Sequence, residues 1–121
     1  VRLSAQELKT AKKRFLEALK LLCALPGAPT LYYGDEVGMT GMADPWNRAP
    51  MDWEQGDQKL RAAVAKLLTK HRANPMLQTG CLRVEATDEN TLRVIRYASG
   101  GLDVFGQPLT GRPAVITVSR R

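Results

Sequence analysis

Six side chains able to exchange protons or hydrogen bonds with a ligand, Asp35, Glu36, Asp44, Asn47, Arg48 and Asp52, cluster in one stretch of the chain. They alternate with Gly38, Gly41, Pro45 and Pro50, and with the indoles of Trp46 and Trp53. Adjacent carboxylates suggest acid–base chemistry, but Asp35 and Glu36 follow an apolar run whose neighbouring side chains point to opposite faces if it is a strand. Hydrogen bonds to loop amides are therefore the expected role of this pair. Asp44 and Arg48 lie on a turn stiffened by Pro45, which fixes its own φ. A planar guanidinium beside a carboxylate offers donors and acceptors matched to vicinal hydroxyls, although an internal Asp44–Arg48 ion pair shaping the loop explains the same residues. Either indole could stack on the C–H face of a sugar. Trp46, at the tip of the turn, is the expected exposed platform, and Trp53 is expected to pack where the loop closes on the next helix.

The elements that must position this stretch can be read from periodicity. Ser4 and Glu7 have the spacing of a capping box. Behind them Leu8, Ala11, Phe15, Ala18, Leu19 and Leu22 form one helical stripe that Pro26 and Gly27 end. Residues 29–33 include the unalternating run Leu31, Tyr32 and Tyr33, which predicts a strand covered on both faces, stopped by Gly34. Asp57 can cap a helix reaching about Arg72, with Leu60, Ala63, Val64, Leu67, Leu68 and His71 on its apolar side, ended by Asn74 and Pro75. The period then changes to two. Leu82, Val84 and Ala86, a turn at Asp88, Glu89 and Asn90, and Leu92, Val94 and Arg96 predict a hairpin, and Ala114 to Val118 a further strand.

The ordered series YYGDEVGMTG then DPWNRAPMDW, preceded by LPGAPTLYYGDE, resembles the segment after the eighth barrel strand in the α-amylase family of glycoside hydrolases. Its cyclomaltodextrinase, neopullulanase and maltogenic-amylase-like members are the nearest match. The resemblance implies a mixed α and β chain: the helix-strand-helix end of a (β/α)8 barrel over residues 1–75, then part of a small antiparallel C-terminal β domain over 76–121. A whole barrel needs roughly 250 residues, so only the last part of such an enzyme is expected in a chain of 121. The residues between Gly100 and Pro113 are too few for the additional strands that the family's C-terminal domain usually has. The resemblance further implies that Asp44 and Arg48 contact glucosyl units of an α-glucan or maltooligosaccharide. It also implies that the nucleophile, the general acid and the third aspartate of the retaining mechanism lie on earlier strands, so no catalytic residue is assigned and the isolated chain is expected to be inactive. This stretch supplies no parallel neighbour for the strand at 29–33, so either the other barrel strands lie elsewhere in the native polypeptide or unpaired edges invite self-association.

Composition sets wider bounds. A hydrophobic content of 44% suffices for a core, and 18 basic against 12 acidic residues give a net charge of +6. The basic residues are dispersed, Lys9, Lys12, Lys13, Arg14 and Lys20 lying along one predicted helix, so a solvated face is expected rather than a nucleic-acid surface. Cys23 and Cys81 lack zinc spacing, and no regular carboxylate series suits calcium; neither a metal nor a cofactor is expected. His71, the only histidine, has no nucleophile arranged around it. No membrane span or signal peptide is visible, no membrane partner is expected, and localisation is left open with the cytoplasm favoured. A non-catalytic carbohydrate-binding or structural module is the alternative to the glycosidase reading.

Overall fold

The capping box forms as spaced: the Glu7 amide donates to Ser4 Oγ at 3.1 Å and the Ser4 amide to Glu7 Oε2 at 2.7 Å. It starts α1 (Ala5–Ala24) in a computed structural model that describes residues 4–40, 50–51, 53–54 and 56–120. Asp57 caps α2 (Gln58–Ala73), its Oδ1 accepting from the Leu60 amide at 3.0 Å. Leu19 and Cys23 of α1 meet Leu60 and Val64 of α2 in the buried core, with Phe15, Leu16, Leu67 and Leu68 around them. Leu22, expected in the same stripe, is instead exposed.

Asn74 ends α2 and begins another helix. Its Oδ1 accepts from the Met76 amide at 3.0 Å, and Pro75, which lacks an amide hydrogen, occupies the first turn of α3 (Pro75–Thr79). This single turn was not expected, because Asn-Pro reads equally as a stop and a start. Gly80 then approaches α3 so closely that a Cβ there would lie 2.4 Å from the Met76 carbonyl oxygen.

The predicted hairpin is β1 (Cys81–Asp88) and β2 (Thr91–Tyr97), and β3 (Ala114–Ser119) adds antiparallel to β2 in the order β1-β2-β3. Val84 pairs with Val94 and Val94 with Ile116, so even-numbered residues share one face. That face packs on α1, with Val94 and Val118 buried. The Ser119 amide donates to Glu17 Oε2 at 2.9 Å, tying β3 to α1. Between β2 and β3, Asp103 Oδ1 accepts from the Phe105 and Gln107 amides at 2.8 and 2.9 Å, closing a compact loop. No second sheet faces this one among the described residues.

Residues 29–33, expected as a strand, do not form one. A strand exists by its ladder, and no described strand lies parallel to this segment; it contributes Leu31 to the α1–α2 core instead. The edge on which self-association was expected is thus not formed there.

One buried cation joins the helices to the sheet. Arg96, on the apolar face of β2, has 0% of its surface exposed. Its Nη1 donates to the Ala24 carbonyl at 3.0 Å and the Leu77 carbonyl at 2.7 Å. Nε and Nη2 both donate to Gly80, at 3.2 and 2.8 Å. Ala24 ends α1, while Leu77 and Gly80 belong to the end of α3, so the guanidinium satisfies carbonyls that a helix terminus leaves without partners. The last turn of α1 has no basic residue of its own, and Arg96 supplies that charge from the sheet. Burial lowers the guanidinium's pKa, with Cys81 opposing.

Arg96→Ala should cost roughly 3–5 kcal/mol in urea denaturation, because it orphans buried carbonyls, and Arg96→Lys should recover only part, since an ammonium cannot span the same fork. A smaller effect is expected at Asp57, whose Oδ2 accepts from Lys12 Nζ at 2.7 Å. Lys12 first, and the Leu60 amide next, hold that carboxyl below its ordinary pKa. Its contribution is therefore full above the ordinary aspartate range and lost as pH falls through the depressed folded-state value. Asp57→Asn, which keeps the cap oxygen, should cost about 0.5 kcal/mol at neutral pH, and the deficit should vanish in acid when the two proteins are compared by denaturation midpoint.

Candidate functional site

Beyond Leu31 the chain turns sharply into the polar stretch. Gly34 takes φ 93°, a left-handed value that favours glycine, and opens a 3-10 turn over Asp35–Val37 that Gly38 closes at φ 73°. The Met39 amide returns to the Gly34 carbonyl at 3.0 Å, making a tight knot of the whole turn. Asp35 and Glu36 thus sit on a helical turn rather than at a strand end. Glu36 Oε2 accepts from the Gly34 amide at 3.0 Å, the loop-amide role expected of this pair. Burial first, and the Glu36 charge second, raise the Asp35 carboxyl above its ordinary pKa.

The two ends of the polar loop are pinned together. The Asp57 amide donates to the Val37 carbonyl at 2.8 Å, and Val37 is buried beneath Gly56, where a Cβ would approach Val37 Cβ to 2.5 Å. The Lys12–Asp57 ion pair fixes the same junction to α1. An open cleft lined by Lys12, Val37, Gly38, Met39, Thr40, Gly56 and Asp57 lies at this base. The two described ends of the loop thus meet at one junction between α1 and the start of α2.

Asp44, Trp46 and Arg48 lie outside the described residues, as do Asn47 and Asp52. The aromatic surfaces that are described differ from expectation. Trp53 is 79% exposed, so it does not pack against α2 as predicted. Tyr32 and Tyr33 stack with ring centroids 4.8 Å apart and are both exposed. These tyrosines were read only as strand residues, and their sequence signal, two adjacent amphipathic rings before a glycine, also suits a binding face.

Among the described residues no group of three or more His, Cys, Asp or Glu side chains could hold a metal ion. Cys23 and Cys81 are both free thiols. Among the described residues, His71 Nε2 is buried without a hydrogen-bond partner. No described helix is long and apolar enough to cross a membrane.

No family model matches the chain. The amylopullulanase of Thermoanaerobacter thermohydrosulfuricus is 30% identical over 119 residues, which is 95% of this chain and 8% of that enzyme. The chain therefore spans less than a tenth of that relative's length. The maltogenic α-amylase of Bacillus acidopullulyticus is 39% identical over 67 residues, 54% of this chain and 11% of its own length. Among solved structures, the cyclic α-maltosyl-(1→6)-maltose hydrolase of Arthrobacter globiformis, in complex with cyclic α-maltosyl-(1→6)-maltose, superposes with a TM-score of 0.65 at 32% identity, covering 69% of this chain and 20% of that one. By sequence and by fold, this chain is a homologue of the α-amylase family of glycoside hydrolases.

Proposed function

We propose that the chain is the α-glucan-contacting end of a retaining glycoside hydrolase or transglycosylase, residues 1–75 supplying the end of a (β/α)8 barrel and 76–121 part of an antiparallel C-terminal domain. The observation that carries the reading is the pinned loop base. The Val37–Asp57 hydrogen bond and the Lys12–Asp57 ion pair hold both ends of the loop that bears Asp44, Trp46 and Arg48. A rigid base lowers the ordering cost of presenting polar groups to a sugar. Solved relatives support the ligand class, one of them being a hydrolase bound to a cyclic maltosyl-maltose.

In this reading Asp44 and Arg48 bind vicinal hydroxyls, Trp46 stacks on a ring, and Trp53, exposed at the far end of the same loop, offers a second aromatic face. No residue here is assigned as nucleophile, general acid or stabilising carboxylate, so the chain binds glucan without cleaving it. Calorimetric titration with maltotriose to maltoheptaose, alongside an assay for new reducing ends, should give saturable binding and no turnover. The Asp44→Ala/Arg48→Ala double variant should abolish that binding. Trp53→Ala should weaken it by about 0.5–1.5 kcal/mol. Turnover by the wild-type chain would contradict the assignment of the catalytic carboxylates elsewhere, and undiminished binding by the double variant would contradict the site.

A further inference from the structure

One edge of the sheet is formed by β1, and part of the helix-facing side of that strand is uncovered. α1 packs mainly on β2 and β3, and Leu82 and Val84 on the helix-facing side of β1 remain 40% and 46% exposed. β1 is also the outer strand, and among the described residues nothing pairs with its free edge. Edge strands of soluble proteins are usually blunted by charged side chains, lysine above all, by proline, by bulges or by a covering element. Residues 82–86 read Leu-Arg-Val-Glu-Ala, with no lysine or proline, and the bulge of this strand comes only after Ala86.

We propose that β1 pairs antiparallel with β1 of a second copy of this chain, about a two-fold axis at Val84, to make one six-stranded sheet. The register follows from charge. Centred on Val84, the pairing sets Arg83 opposite Glu85 of the second copy, and Glu85 opposite its Arg83. Centring on Arg83 or Glu85 instead opposes like charges, which destabilises a cross-strand pair. Shifting by a single residue puts Val84 on the same side as a charged residue of the other copy and turns the two apolar faces to opposite sides.

The outward face already prepares this arrangement. Glu85 accepts from Arg93 Nε of β2 at 3.1 Å and pairs with Arg83 of its own strand at 3.0 Å. Across the dimer each Glu85 would lie between Arg93 of its own sheet and Arg83 of the second copy, giving a row of alternating sign. On the other face Val84 meets Val84 and Leu82 meets Ala86, joining the exposed apolar residues of the two copies into one surface. β3, the opposite edge, carries no charged residue between Ala114 and Ser119 to select a register, and α1 already covers its inner side.

Sedimentation velocity of the whole chain over a range of concentrations, near physiological ionic strength, tests this. The wild type should show a concentration-dependent dimer. Arg83→Glu and Glu85→Arg alone should each weaken it about tenfold, because each opposes like charges at both symmetry-related positions. An equimolar mixture of the two variants should restore it, since each then meets the opposite sign. Circular dichroism checks that both fold; should Glu85→Arg fail through its proximity to Arg93, Glu85→Gln replaces it and must itself weaken the dimer. A wild type that is monomeric throughout, variants that dimerise like the wild type, or folded charge-swapped variants that do not associate on mixing would each overturn the proposal.

Discussion

Arg96 is the constraint on which the remaining structure depends. A guanidinium with none of its surface exposed is costly to bury, and here carbonyl oxygens rather than a carboxylate compensate it. Those oxygens belong to the ends of two helices, where backbone acceptors otherwise lack partners. The two deficits cancel. Three segments distant in sequence, the end of α1, the single turn of α3 and the middle strand of the sheet, are thereby fixed to one side chain. Gly80 is part of the same arrangement, because only a residue without a Cβ can bring its backbone this close to α3.

The consequence reaches the polar loop. Ala24, held by Arg96, is the residue from which the chain leaves α1 toward Leu31 and the knot at Gly34. Lys12, on the same helix, reaches Asp57 where the loop returns. One helix thus supports both ends of the segment bearing the candidate sugar contacts. The sheet holds that helix a second time through Glu17 and the Ser119 amide. Burial raises the Glu17 carboxyl's pKa, but Ser119 and Lys20 outweigh it and the net shift is downward.

Much of this was legible because it is local. The capping box at Ser4, the cap at Asp57 and the alternation of Leu82 to Ala86 against Leu92 to Arg96 each depend on a few neighbouring residues. What could not be read depends on partners remote in sequence. Residues 29–33 have strand composition but no ladder, since composition cannot provide a neighbouring strand. Arg96 occupies an apolar phase of β2, an anomaly visible in the alternation, yet its carbonyl partners on α1 and α3 become apparent only once the chain is folded. Trp53 was assigned to packing from the position of its motif, whereas exposure is a property of the folded turn. For Asp44, Trp46 and Arg48 the sequence and the resemblance to α-amylase enzymes carry the reading, as they lie outside the described residues.

Native-state hydrogen exchange tests most directly whether helices and sheet form one unit held by Arg96. Amides in the last turn of α1, in α3 and in β2 should open together, with a single free energy and a single dependence on denaturant. Exchange from the end of α1 through a separate, lower-energy opening, while β2 stays protected, would contradict the account.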